Sequence, residues 1–350
     1  MNRAARAARM FLLLTVVPAL GAAGYAAYEY HVQPLVKAPP PKYSKGMRTI
    51  VGAPKANARP ESAGFLLGTF AGRGSTLTSF DKALGQRANL SLYYLMWGRR
   101  FPSLSVALTA REGAETVIEL QPGKVTNVIT MAQIAAGDGD KWLGTIARRV
   151  ARLRDQVIVS FAPEMNGTTY VYGSQNVSGA SYIAAYRHVY NYLSQSVAGR
   201  YITFMWQPSA IHRTTPNPMP DWPGARYVNL VALDGYYYYR SDTFRSIFGQ
   251  TIADIRSVSP STPIMIGETA AAPDFHRQVW DIRNLFAGVR RTHLVGLIWF
   301  DSNQLRQKER AAVRRFHQDW RLEDSPRALS AFRAELRAFK LAVLVRQSTG

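Results

Sequence analysis

From residue 65 to residue 339 the chain alternates between short apolar runs of β type and longer stretches with helical spacing. The runs fall at 65–70, 90–97, 116–121, 157–164, 201–207, 228–236, 263–268 and 294–301. They are rich in β-branched and aromatic residues, as strands buried on both faces are. Between them, Trp142, Ile146, Val150 and Leu153 recur at helical spacing, as do Tyr182, Tyr186, Val189 and Leu193, and Val279, Ile282 and Phe286. A last helix is expected with Ser325 as its cap, Pro326 in its first turn, and Leu329, Phe332, Leu336 and Phe339 on one face. Eight strands with intervening helices predict a single (β/α)8 TIM barrel over residues 63–345. The competing arrangement is an open doubly wound sheet, but no Gly-x-Gly-x-x-Gly follows the first run and a count of eight favours closure.

The segments before the barrel have a different character. Arg3, Arg6 and Arg9 precede an apolar stretch over residues 10–28, so residues 1–30 read as a signal peptide or an N-terminal transmembrane anchor. In either case the arginines stay inside and the remainder is exported, to the cell surface or the extracellular space. Residues 31–62 are rich in Pro, Lys and Ala, include Pro39-Pro40-Pro41, and read as a semi-extended linker. Of 350 residues none is cysteine, which removes disulfides, thiolate nucleophiles and cysteine metal sites. The net charge of +20 raises the question of nucleic acid. Its carriers are dispersed, however: Arg148, Arg149, Arg152 and Arg154, then Arg290 and Arg291, then Arg306, Lys308, Arg310, Arg314 and Arg315. Most sit between apolar positions of expected helices, as solvated outer faces do, and no nucleic-acid partner is expected.

Two runs deliver a glutamate to their carboxyl ends: Glu164 follows 157–161, and Glu268 closes 263–268. In a (β/α)8 barrel all strand carboxyl ends open on one face, so the ends of the fourth and seventh strands meet across one mouth. Paired carboxylates so placed suit glycoside hydrolysis, in which one carboxyl protonates the leaving oxygen and the other attacks the anomeric carbon or activates water. The acid must keep its proton near neutral pH while its partner stays ionised through hydrogen bonds, for which Tyr236 is the expected donor to Glu268. Sugar rings are held by aromatic faces and by amides and carboxylates on their hydroxyls. The strand ends offer Trp97, Trp206, Asp234, Tyr236 and Trp299, with Asn166 and Tyr170 after the fourth strand. Trp299 is the foremost candidate platform.

The stretches Phe161-Ala162-Pro163-Glu164-Met165-Asn166-Gly167, Leu233-Asp234-Gly235-Tyr236, Pro263-Ile264-Met265-Ile266-Gly267-Glu268 and Gly296-Leu297-Ile298-Trp299-Phe300-Asp301 resemble the strand-end motifs of glycoside hydrolase family 26. The resemblance covers about residues 64–332. It implies a retaining barrel with Glu164 as acid/base and Glu268 as nucleophile, acting on β-mannan first of all; altered residues beside Glu164 add mixed-linkage β-glucan or a self-made exopolysaccharide as alternatives. Many members carry histidine directly before the acid and arginine four residues before it, where this chain has Pro163 and Ser160, and tryptophans after it, where this chain has Thr169 and Tyr172. These departures imply an altered sugar subsite, and they motivate a further alternative: a catalytically silent, membrane-tethered polysaccharide-binding barrel.

Asp138-Gly139-Asp140 has alternating carboxylates without the remaining ligands of a calcium loop, so it is expected to be a helix-capping turn. His188 and His212 have no partners at metal spacing. No metal and no cofactor are expected, since double displacement needs neither. The expected partner is a polysaccharide met by a monomeric enzyme.

Overall fold

The computed structural model describes residues 64–123, 128–273, 277–305 and 318–342. The expected signal or anchor, the linker, and the cluster Arg306, Lys308, Arg310, Arg314 and Arg315 lie outside the described residues. Among the described residues no helix is long and apolar enough to cross a membrane.

Eight parallel strands close into a barrel in sequence order: β1 Leu66–Ala71, β2 Leu90–Met96, β3 Glu115–Gln121, β4 Val157–Phe161, β5 Ile202–Trp206, β6 Leu230–Asp234, β7 Ile264–Thr269 and β8 Gly296–Asp301. β1 pairs with β8 over six residues, from Leu66 opposite Gly296 to Ala71 opposite Asp301. The helices of the outer layer are α1 Leu77–Leu84, α2 Ser103–Arg111, α3 Met131–Ala136, α4 Asp140–Leu153, α5 Gly179–Ser194, α6 Gln250–Val258, α7 Gln278–Arg291 and α8 Pro326–Leu336.

Local chemistry sets the helix boundaries. Thr76 and Ser79 form a reciprocal capping box that starts α1, and Gly85 ends it in the left-handed region. Thr130 and Gln133 do the same for α3, with Gly137 at its end. Gly139 is the N-cap of α4 and Asp140 its first residue, so Asp138-Gly139-Asp140 is the turn between two helices, and Asp140 pairs with His188 of α5 at 2.6 Å. Arg148 and Arg152 of α4, the neighbouring Arg154, and Arg290 and Arg291 of α7 are exposed, as solvated outer faces require. Ser325 precedes Pro326 as expected but makes no side-chain capping bond. α8 seals the outside through Phe332, whose ring lies 4.9 Å from Phe286 and 5.3 Å from Trp299. At the opposite end from the strand carboxyl termini, Asn89 donates to the carbonyls of Phe65 and Ala342 and accepts from Leu67 N–H. That single buried amide ties the start of the barrel to its end.

Two departures from regular strand geometry shape the mouth of the barrel. β4 stops at Phe161, three residues short of the run expected from the sequence. Ala162 (φ 47°) and Glu164 (φ 54°) both adopt the left-handed region on either side of Pro163. Non-glycine residues there cost about 1 kcal/mol or more each, and such residues persist only where neighbours hold them. Here Ala162 N–H donates to Leu120 O at 2.9 Å and Glu164 N–H to Gln207 O at 2.7 Å, so adjacent strands pin the turn from both sides. The second departure is in β7, whose register slips against β6 between Leu233 and Asp234 and against β8 between Ile266 and Thr269. A slip of this kind re-aims side chains at a strand end, and Glu268 sits in it.

Candidate active site

Alternation along each strand sends successive side chains to opposite faces, so the mouth of the barrel is built by every second residue. Glu119 of β3, Gln207 just past β5, Asp234 of β6 and Glu268 of β7 point inward and meet. The Gln207 amide nitrogen donates to Glu119 Oε1 at 2.6 Å and to the Asp234 carboxylate at 3.0 and 3.1 Å. Glu119 in turn hydrogen-bonds Glu268. Gly267 makes this convergence possible. A Cβ there would lie 2.5 Å from Asp234 Oδ1, 2.9 Å from Ala232 Cβ and 3.1 Å from the Gln207 amide nitrogen.

Two phenols hold Glu268. Tyr236 Oη donates to its Oε2 at 2.6 Å, and Tyr94 of β2 donates to its Oε1. Burial pushes its carboxyl up to about 7, with the charge of Glu164 adding to the rise, while the hydrogen bonds from Tyr236, Tyr94 and Glu119 oppose it. Burial also raises Glu119 well above the usual carboxylate range, assisted by the charge of Glu268. Asp234 is raised for the same two reasons, burial first and Glu268 second.

Glu164 lies on the strained turn after β4 and is half-buried. Ser209 Oγ donates to its Oε1 at 2.9 Å. Its field reaches Glu268, Glu119 and Asp234, raising all three, so the four acids form one electrostatic unit. Around them the walls are tyrosine. Tyr170 and Tyr172 stack in parallel with centroids 4.8 Å apart, and both phenols are raised by burial and by the field of Glu164. Tyr236 and Tyr238 stack at 5.4 Å and lean on Trp320 at 5.8 and 5.7 Å. Asp242, fully buried, accepts from the N–H groups of Tyr238 and Tyr239 and so fixes the loop that carries these rings.

Four residues expected to meet a sugar are placed elsewhere, and the expectation for each is corrected. Trp299 is fully buried, packs against Phe332 of α8 and donates its indole N–H to Trp320 O at 2.9 Å. Trp206 is also fully buried and packs against Trp222 at 4.9 Å. Trp97 packs against Trp142 of α4 at 4.5 Å. All three sit one position out of phase with the inward-facing residues and so fill the layer between barrel and helices. Asn166 is fully buried and saturated: its Nδ2 donates to Ser209 O and Pro216 O, and its Oδ1 accepts from Ser209 N–H. It braces the loop that carries Ser209 against Glu164. Tyr170, Asp234 and Tyr236, by contrast, are gathered around Glu164 and Glu268.

Sequence reasoning passed over Glu119, Tyr94, Ser209, Tyr238 and Trp320. For Glu119 a signal existed: a carboxylate inside the otherwise apolar run Val117-Ile118-Glu119-Leu120 is costly unless it has work to do. Trp320 comes from a distant loop and carried no signal. His212, set aside as a metal ligand, faces Asp242 at 3.1 Å and Ser246 O at 3.0 Å.

The profile of glycosyl hydrolase family 26 matches residues 129–324 of the chain. Endoglucanase H of Acetivibrio thermocellus is 22% identical over 282 residues, which cover 75% of this chain and 29% of that protein, so the chain spans under a third of this relative. Among solved structures, the catalytic domain of an endo-β-1,4-mannanase from Bacillus sp. JAMB-750 superposes with a TM-score of 0.61 at 15% identity, over 78% of this chain and 86% of that one. A β-mannanase from Bacteroides ovatus gives 0.55 at 14% identity, over 79% and 90%. The structural likenesses speak for the fold alone. The profile match covers more than half of the chain, including the turn of Glu164 and the strand of Glu268, and places the protein in glycosyl hydrolase family 26.

Proposed function

We propose that the protein is a retaining endo-β-glycosidase that hydrolyses a β-linked polysaccharide, β-mannan first, with Glu164 as acid/base and Glu268 as nucleophile. The observation that carries this reading is the arrangement of the two glutamates: they follow β4 and belong to β7 of one barrel, act on each other electrostatically, and differ in their hydrogen bonds. Glu268 receives two phenolic hydrogen bonds, which favour its charged form and aim its lone pair. Glu164 receives a hydroxyl, from Ser209, and sits on the more open side of the cluster.

In the first step a lone pair of Glu268 forms a bond to the anomeric carbon as the glycosidic C–O bond breaks, and Glu164 gives its proton to the departing oxygen. In the second step Glu164 takes a proton from water, whose oxygen attacks the same carbon and releases Glu268. Tyr236 and Tyr238, both partly exposed, supply flat apolar faces for the ring in place of tryptophan, with the buried Tyr170 and Tyr172 packed behind the cluster.

A mixed-linkage β-glucan is the second reading, favoured by the name of the endoglucanase relative and by Pro163 and Ser160 beside the acid. The protein would work outside the cytoplasm as a monomer, delivered or tethered through residues 10–28.

The test is product release from β-mannan, mixed-linkage β-glucan, β-1,3-xylan and β-1,3-glucan by the protein and by Glu268→Ala. Oligosaccharides from one polymer, absent with the variant, identify class and substrate together. For Glu164→Ala, turnover of the polymer should fall by about 10²–10⁴-fold, with a far smaller loss on an aryl glycoside whose leaving group needs no proton. Inversion of anomeric configuration in the first product, followed by NMR, would overturn the retaining mechanism.

A further inference from the structure

We propose that Glu119 is a protonated carboxylic acid that positions the nucleophile by donating its proton in a hydrogen bond to Glu268. This rests on the reading of Glu268 as nucleophile. Two carboxylates offer only lone pairs to each other, so a hydrogen bond between Glu119 and Glu268 contains one proton. The remaining question is which group owns it.

The surroundings of the two carboxyls answer differently. Glu268 takes hydrogen bonds from two phenols, Tyr94 and Tyr236, both of which favour the ionised form. Glu119 is more deeply buried, 1% exposed against 7%, on a strand flanked by Ile118 and Leu120. Its Oε1 accepts an amide N–H, from Gln207. Among the described residues no basic side chain forms an ion pair with it, and the nearby charges that act on it are those of Glu268 and Glu164, both of which disfavour a second anion. The proton therefore stays on Glu119 and the charge on Glu268. The same logic keeps one acid neutral wherever two carboxyls share a site.

The register explains why Glu119 is the group in this position. Tyr94 lies opposite Glu119 in the β2–β3 ladder, so two neighbouring inward side chains reach across the barrel to the same carboxylate. Gln207 donates to Glu119 Oε1 and to Asp234, giving a chain Asp234–Gln207–Glu119–Glu268 that leaves the Glu119 carboxyl little rotational freedom. With Tyr94 and Tyr236 it completes a three-donor cradle around Glu268. Glu119 loses no proton in either chemical step and never touches the sugar. Its role is to hold the direction and basicity of the attacking oxygen.

The test uses the full chain and the variants Glu119→Gln and Glu119→Ala. Glutamine keeps both features of the neutral acid, an acceptor toward Gln207 and a donor toward Glu268, whereas alanine removes both. The infrared difference between the parent protein and Glu119→Gln at pH 7 should show the loss of one protonated-carboxyl carbonyl stretch, beside those of Glu164 and Asp234 that both proteins share. On the polymer found to be cleaved, Glu119→Ala should lower kcat by about 10- to 100-fold, the loss of one hydrogen bond to a charged group, and Glu119→Gln should recover most of it. A spectrum in which Glu119→Gln removes no protonated-carboxyl intensity relative to the parent protein overturns the proposal. So does a glutamine variant as impaired as the alanine one, because that would mean Glu119 works as an anion. The infrared measurement needs no substrate and decides the matter even if alanine prevents folding. Failure of the glycosidase reading would appear separately, as no turnover by the parent protein on any polymer.

Discussion

Replacing Glu268 by glutamine should make the protein more stable, and should do so only above a defined pH. In the unfolded chain the Glu268 carboxyl ionises near its ordinary value of 4.5, and in the folded barrel burial and the charge of Glu164 push it up to about 7. Between these values the native state retains a proton that the unfolded chain has lost, so unfolding becomes easier as pH rises. The favourable contribution is full below 4.5 and gone once pH passes about 7. Over that interval the loss amounts to about 3 kcal/mol. Glutamine cannot ionise, so it escapes this loss, and its amide still offers an oxygen to one phenol and N–H donors to the other. Allowing about 1 kcal/mol for the weaker hydrogen bonding leaves a net gain of about 2 kcal/mol at pH 8. For a barrel of this size that corresponds to a rise in Tm of about 4–8 °C. The assay is thermal unfolding of both proteins from pH 4 to pH 8. The difference should open between pH 4.5 and 7 and close, or reverse slightly, at pH 4. A difference that is constant across the range, or a variant less stable at pH 8, would refute the claim that Glu268 is held against its tendency to be neutral.

Three further outcomes are expected. On the proposed mechanism Glu268 must be ionised to attack, so kcat/KM should fall on acidification below about 7, the value to which burial and Glu164 raise Glu268; a rate that is flat from pH 7 to pH 5 would contradict it. Trp299→Ala should cost about 3–5 kcal/mol in urea unfolding, because the ring fills the layer between β8 and α8, and it should not raise KM for one polymer over another; a selective KM effect would restore it as a sugar platform. Gly267→Ala would drive a methyl group to 2.5 Å from Asp234 Oδ1 and should cost about 1–3 kcal/mol; a neutral result in urea unfolding would mean that the chain Asp234–Gln207–Glu119 tolerates displacement.

The barrel was legible in the sequence because its strands are short apolar runs between strongly periodic helices, and the eight expected runs coincide with β1 to β8 to within a few residues at each end. The carboxylates Glu164 and Glu268 were legible for the same reason, since a polar residue at the carboxyl end of a buried strand has one place to go. What could not be read was phase. Trp206 and Gln207 are neighbours at one strand end, yet the first faces Trp222 and the second Glu119. Residue type alone assigns tryptophan to the sugar, whereas the period of two assigns it to the helix layer. The bulge in β7 compounds the difficulty, because the register slip that aims Glu268 depends on the packing of Gly267 against β6 and has no local signature.

The cost of the site and the construction of the site are linked. Glu119, Asp234 and Glu268 are all raised by burial and by one another, so each is less comfortable in the folded barrel than in water. An isolated carboxylate in this position would simply take up a proton and lose its nucleophilicity. The arrangement avoids that by dividing labour. Glu119 and Asp234 share the Gln207 amide nitrogen as acceptors, deeper in the barrel than Glu164, and both are raised by burial. Tyr94 and Tyr236 donate to the two oxygens of Glu268, which favours its charge, as the proposed nucleophile requires. Glu164 stays apart on its strained turn, tied to Ser209 and to the backbone of Gln207, where it raises the proton affinity of the cluster and is placed for the proposed acid/base role. Pro163 fits this division. The turn is already forced into shape by two left-handed residues and two backbone hydrogen bonds, so the orientation of Glu164 is set by the main chain and Ser209, without a neighbouring histidine.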